Sequence, residues 1–246
     1  MKVIRGIAAA MAVVLAGSAA RAADAVRLSV GPDLAKDSAA LPRIAAPSTA
    51  ATARINAALA RLDRSWAGYV RDCLAGGKDN EASRRVEIAM RGPRYLAVLA
   101  RDSEDCGGAH PDYSLTALTY DLQTGRPADW GRLLGPRLAS SVGADSAIDG
   151  ATIGLVSSPE LRRLYVATLK ARGGEPRDWW KDCDDVLADD SLQFSVWPDA
   201  KAGGLMLAPQ LVHAVQACGE EVAISAPTLR SFGASPDLVA VLSGAR

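Results

Sequence analysis

The chain has 246 residues, with 28 Lys+Arg against 28 Asp+Glu and a formal net charge of zero. That balance argues against a dedicated nucleic-acid binder, whose basic stripe would displace counterions from phosphates, and against a polybasic membrane-surface protein. The length suits one ordinary globular domain or two small ones.

The first residues read as a secretory leader, 1–22. Lys2 and Arg5 form a short basic start, residues 7–16 are an apolar run too short to span a bilayer, and Ala20-Arg21-Ala22 is a small-x-small cleavage site. The mature chain is therefore expected to begin near Ala23, periplasmic or secreted, with no stable membrane anchor after cleavage. Its cysteines are Cys73, Cys106, Cys183 and Cys218. An even number in an oxidising compartment reads as two disulfides, for which three connectivities exist. Pairing of sequence neighbours, Cys73–Cys106 and Cys183–Cys218, is expected because it needs no crossing between halves. No Cys-x-x-Cys is present and the spacings match no compact zinc set, so no metal is expected.

In chain order, residues 26–30 carry a short strand pattern. Pro42 and Pro47 then bracket an extended connection. From Ser48 or Thr49, either a suitable N-cap, a long helix is predicted to about Leu74. Ile55, Leu59, Leu62, Trp66, Tyr69, Val70, Cys73 and Leu74 recur at three-to-four spacing, and Arg54, Arg61, Asp63, Arg64, Arg71 and Asp72 fall largely off that stripe. This is an amphipathic helix made to pack on a sheet. Gly76-Gly77 ends it.

Three strands follow. Val86, Ile88 and Met90 alternate with Arg85, Glu87 and Ala89, predicting one wet face. Residues 95–100 are apolar throughout, as a strand buried on both faces should be. Residues 113–121, rich in Thr, Tyr and Leu, complete an antiparallel meander. Between the second and third strands sits Cys106-Gly107-Gly108-Ala109-His110-Pro111-Asp112, a tight connection shaped by glycine and proline. Residues 130–134 suggest a helical turn. The stretch 135–158 is small and polar with little periodicity and reads as linker-like. Helices are predicted at 159–171 and 177–187, strands at 192–197, 205–208 and 222–225, and short helices at 227–232 and from the Ser235 cap to about 242. The fold class is α+β: antiparallel sheets, a long amphipathic helix packed on one face, and two disulfides.

At this point the pattern resembles a known family. Residues 95–100, Gly107-Gly108-Ala109-His110-Pro111, Tyr120-Asp121-Leu122-Gln123-Thr124-Gly125 and the Leu133-Leu134 turn resemble the DUF3298 (RsiV-like) extracytoplasmic domain. Upstream, Pro42-Arg43-Ile44 and the helix containing Ile55-Asn56 resemble the DUF4163-type segment usually found before it. Residues 205–209, Cys218-Gly219, 222–225 and Leu229 resemble the family's closing strands and final helix. The organisation implied is an N-terminal α+β part at 23–134 (DUF4163-like, then the start of the DUF3298-like domain) and, after the 135–158 segment, a C-terminal part at 159–246 that completes it. The best-known relatives are lysozyme-sensing anti-sigma factors and cell-wall deacetylases. Neither a sigma-binding segment nor a deacetylase domain is expected, so the resemblance implies a fold, a compartment and a binding role near the envelope.

Candidate ligand contacts are His110 at the hairpin tip, Asp112 beside it, and Trp180, one of two adjacent helical tryptophans that point in different directions. His213 is expected to be structural, at a strand edge or loop. The Asp178, Asp182, Asp184, Asp185, Asp189, Asp190 cluster lacks calcium-loop spacing, and no Gly-x-Ser-x-Gly appears. The expectation is a non-enzymatic protein that uses no cofactor and binds an envelope protein or a peptidoglycan fragment. The alternative is an envelope hydrolase whose site the sequence does not display.

Overall fold

The computed structural model describes residues 25–108, 110–144, 154–172 and 177–244, with only the backbone of 144 and 177–181. The leader and its cleavage site lie outside the described residues. Among the described residues no helix is long and apolar enough to cross a membrane.

Strand β1 (Arg27–Ser29) pairs antiparallel with β2 (Arg43–Ala46). Helix α1 (Ala50–Gly76) starts at Thr49 in a capping box: Thr52 N donates to Thr49 Oγ1 at 3.1 Å and Thr49 N donates to Thr52 Oγ1 at 2.8 Å. Its inner stripe is Ile55, Leu59, Leu62, Trp66, Val70 and Cys73, all buried as the spacing predicts. Tyr69 and Leu74, expected on that stripe, are instead 40% and 44% exposed, because they sit on its flank rather than over the sheet.

Strands β3 (Glu81–Arg91), β4 (Tyr95–Asp105) and β5 (Asp112–Asp121) form an antiparallel sheet in the order β3-β4-β5. Central β4 is buried on both faces, and the alternation of its side chains divides two cores. Leu96, Val98 and Ala100 meet Ile55, Leu59 and Leu62 of α1, while Tyr95, Ala97 and Leu99 join the larger core of the C-terminal half. The predicted alternation of β3 fails at its end. A bulge between Ile88 and Met90 sets Ile88 opposite Val98 but Met90 opposite Ala97. Met90 is thereby carried to the other face, and Ile88 is left 42% exposed. The Ala89 carbonyl at the bulge accepts from Ala200 N at 2.9 Å.

After β5 the chain turns at Gly125 (φ 70°), where an added Cβ would lie 2.4 Å from the Ala51 carbonyl. Only glycine fits this close approach to the start of α1. Helix α2 (Trp130–Leu138) leads to β6 (Ser141–Ala144) and β7 (Gly154–Ser157), then to α3 (Pro159–Arg172), α4 (Arg177–Leu187), β8 (Phe194–Asp199), β9 (Gly204–Pro209), a 3-10 helix (His213–Cys218), β10 (Val222–Ser225), α5 (Ala226–Ser231) and α6 (Pro236–Gly244). The five later strands form an antiparallel sheet in the order β10-β9-β8-β7-β6. Within 135–158, expected to be linker-like, the structure therefore places the end of α2 and two strands. Each strand has four residues, too short for a periodic signal, and is defined by its partner across the sheet. The 3-10 helix likewise stands where a strand edge or loop was expected around His213.

Both disulfides have the expected pairing, Cys73–Cys106 and Cys183–Cys218, with Cα–Cα distances of 5.1 and 5.3 Å. The first ties the end of α1 to the β4–β5 connection, and the second ties α4 to the 3-10 helix.

Candidate functional site

The space between α1 and the three-stranded sheet is filled by leucines near the start of the helix but not near its end. On the sheet face, apolar Leu118 and Ala100 give way to Asp102, Ser114 and Thr116. These smaller and polar side chains leave a cleft of about 300 Å³, bounded by Leu62, Ser65, Trp66 and Tyr69 of α1 and, beyond the β5 edge, by Leu155, Ser195 and Gln210.

One wall of the cleft holds a buried ion pair. Arg84 Nε donates to Asp102 Oδ1 at 2.6 Å and Nη2 donates to Oδ2 at 2.8 Å, with the two side chains 7% and 8% exposed. The fork geometry satisfies both carboxylate oxygens. Asp63 approaches Arg84 Nη1 at 3.9 Å and also accepts from Leu41 N at 3.0 Å and Arg43 Nη2 at 2.6 Å. The Arg84 guanidinium lies 4.5 Å from the Trp66 ring centroid, and the Tyr69 ring stacks on Trp66 at 5.3 Å. Burial, followed by the Glu104 carboxylate that its hydroxyl meets, pushes the Tyr69 phenol up to about 12.

A second hollow of about 670 Å³ adjoins the first, with Asp102, Ser114, Leu115 and Gln210 in the lining of both, and the two together are called the groove. It runs past the hairpin to the 3-10 helix, where Asp112, Tyr113, His213 and Gln216 line it. His213 Nδ1 is 3.5 Å from Asp112 Oδ1, and the rings of His110 and His213 stack at 5.7 Å with 13° between planes. Gln216 Nε2 donates to the Tyr113 carbonyl at 3.0 Å and to Asp112 Oδ1 at 3.3 Å. Arg101 bridges Glu87 at 3.1 Å and Glu221 at 3.0 Å. Gly107 adopts φ 83° directly after Cys106. Each disulfide anchors one bank of the groove, the hairpin through Cys106 and the 3-10 helix through Cys218. Among the described residues no group of three His, Cys, Asp or Glu side chains is placed to hold a metal ion.

His110 and Asp112 thus meet at one rim of the groove. Trp180 belongs to α4, and its side chain lies outside the described residues. His213, assigned to structure by the sequence reading, is the partner of both His110 and Asp112. Trp66, the Arg84–Asp102 pair, Leu115 and Gln216 were not singled out either. One signal was present. Arg84 shares strand parity with Ala82 and Val86, and a charge on an inward-facing register position requires a partner.

No family model matches the sequence, and no curated protein matches it. Among solved structures the chain is similar to a DUF3298 family member from Bacteroides fragilis, with 13% identity, 81% of this chain and 74% of that one covered, and a TM-score of 0.44. It is also similar to a DUF3298 family protein from Pseudomonas aeruginosa, with 15% identity, 73% and 77% covered, and a TM-score of 0.42. These neighbours carry the family name that the hairpin motifs suggested, while a DUF4163-like N-terminal segment is not shown by them.

Proposed function

We propose that this chain is a non-enzymatic extracytoplasmic protein that binds a protein or cell-wall ligand in the groove between α1, β5 and the 3-10 helix. The observation that carries this reading is the groove itself. It is a pair of adjoining hollows with an apolar wall and a small set of polar groups converging on them, which is how ligand sites are built. Two disulfides that fix the banks of the groove suit a protein working in an oxidising compartment.

The test fills the cleft. Ser114→Trp should keep the unfolding temperature of the parent, because Ser114 lies at the exposed end of β5. Immobilised mature chain is exposed separately to envelope proteins and to digested peptidoglycan. Retention of one defined species by the parent and its loss from Ser114→Trp supports the reading, and equal retention by both chains removes the groove from it.

A second reading, an envelope hydrolase, rests on the Asp112–His213 pair, since a carboxylate beside an imidazole can orient it as a base. Hydrolysis of peptidoglycan by the parent that His213→Ala abolishes would favour it.

A further inference from the structure

We infer that, if the groove is the binding site proposed above, its occupant is an extended, positively charged peptide segment of a partner protein, laid along β5 as an added strand.

The backbone of β5 supplies the first argument. Among the described residues β5 is an edge of its sheet, paired along its length with β4 and bridged at its end to residues 126–128. In an antiparallel pair alternate residues turn their amide and carbonyl away from the partner strand. Ala128 N donates to the Thr119 carbonyl at 2.8 Å, Asp121 N donates to the Arg126 carbonyl at 2.9 Å, and Gln216 Nε2 donates to the Tyr113 carbonyl at 3.0 Å. These three bonds identify the odd-numbered residues as the outward set and close both ends of the edge. Between them, the outer amide and carbonyl of Leu115 have no hydrogen-bond partner among the described residues. Leu115 lines both hollows of the groove. An unpaired stretch of strand edge opening into a groove is the template on which an extended peptide docks.

The side chains supply the second. Ser114 and Thr116 face the α1 side, so alternate side chains of an added strand would enter the cleft of about 300 Å³ beside Leu62, Leu118 and Leu155. Trp66 Nε1, on the same wall, is a buried donor without an acceptor among the described residues. The remaining side chains of the added strand would face the rim. There and along the groove, two arginines oppose five carboxylates. Arg84 is taken by Asp102, Arg101 by Glu87 and Glu221, and Glu220 by Arg172. The surplus at Glu104 and Asp112, cross-strand partners at the hairpin end of β4 and β5, is complementary to lysine or arginine where the added strand would pass that end.

The experiment measures fluorescence anisotropy of a labelled octapeptide alternating lysine with valine, added to the mature chain with its disulfides intact. Comparison probes are its glutamate–valine counterpart, the lysine–valine peptide with N-methylated valines, and a disaccharide-peptide from peptidoglycan. The expected result is saturable, salt-weakened binding of the lysine–valine peptide alone, reduced at least tenfold by N-methylation and by Leu115→Pro. The Leu115 amide points away from β4, so proline removes the docking donor without taking a bond from the β4 ladder. The N-methylated probe asks the same question of the parent chain if Leu115→Pro does not fold. No binding of the lysine–valine peptide, or binding indifferent to N-methylation, overturns the inference. Disaccharide-peptide binding lost in Ser114→Trp but kept when the edge is blocked overturns the peptide and leaves the groove standing. Binding of any probe that Ser114→Trp does not affect overturns the groove as well.

Discussion

Asp102→Ala tests the buried charge network at the back of the groove. In the parent, Asp102 accepts two bonds from Arg84, at 2.6 and 2.8 Å, with both side chains over nine-tenths buried. Removing the carboxylate strands a guanidinium in an apolar wall, which costs about 3–5 kcal/mol when no other partner is near. Asp63 stands 3.9 Å from Arg84 Nη1 and offers partial compensation, although Leu41 N and Arg43 already occupy its oxygens. The cost should therefore fall near the lower end, about 3 kcal/mol, which lowers the unfolding temperature by roughly 10 °C for a chain of this size. The double variant Arg84→Met/Asp102→Leu removes the charge together with its partner and should recover most of that loss, because a well-packed apolar pair avoids the desolvation cost. Urea unfolding of the parent, Arg84→Met, Asp102→Leu and the double variant gives the coupling energy. A cost below about 1 kcal/mol for Asp102→Ala, or a double variant no more stable than Asp102→Ala, would refute the reasoning.

Non-reducing alkylation of the mature protein should find no reactive thiol, and Cys183→Ser/Cys218→Ser should lose about 4 kcal/mol, since the bridge closes a loop of 35 residues; that variant should also loosen the 3-10 helix, read as faster amide exchange in 213–218. Burial pushes the Tyr120 and Tyr165 phenols up to about 12. The unfolded chain releases these protons near pH 10 while the folded one keeps them, so the stability tied to each, about 2–3 kcal/mol, is full below pH 10 and lost as pH rises through 12. Tyr120→Phe should remove its own share of this alkaline loss, and leave that of Tyr165, in urea titrations between pH 9 and 12. It should be close to neutral at pH 7, because the Tyr120 hydroxyl is buried without a partner among the described residues. Gly125→Ala places a Cβ against the Ala51 carbonyl at φ 70° and should cost at least about 2 kcal/mol, and a thermal midpoint equal to the parent's would contradict that close approach.

Local chemistry made a large part of the fold legible. Thr49 as a cap and the recurrence of Ile55, Leu59, Leu62 and Trp66 define α1 without reference to anything else, and the apolar run of β4 announces a strand covered on both faces. Neighbour pairing of the cysteines is the expectation among three connectivities and both bridges match it, and the glycine-rich connection between β4 and β5 marks a hairpin. These features depend on residues within a helical turn or a strand length of one another, where side-chain period, capping and backbone freedom act directly. The groove does not. It needs α1 laid across β4 and β5, strands β6 and β7 drawn into a sheet by partners far along the chain, and a 3-10 helix held by a bridge to α4. His110 and His213 stack, and Arg84 finds Asp102, only after those elements have packed. Residues distant in the chain carry no shared periodicity, so the side chains that meet in the groove were set by tertiary packing.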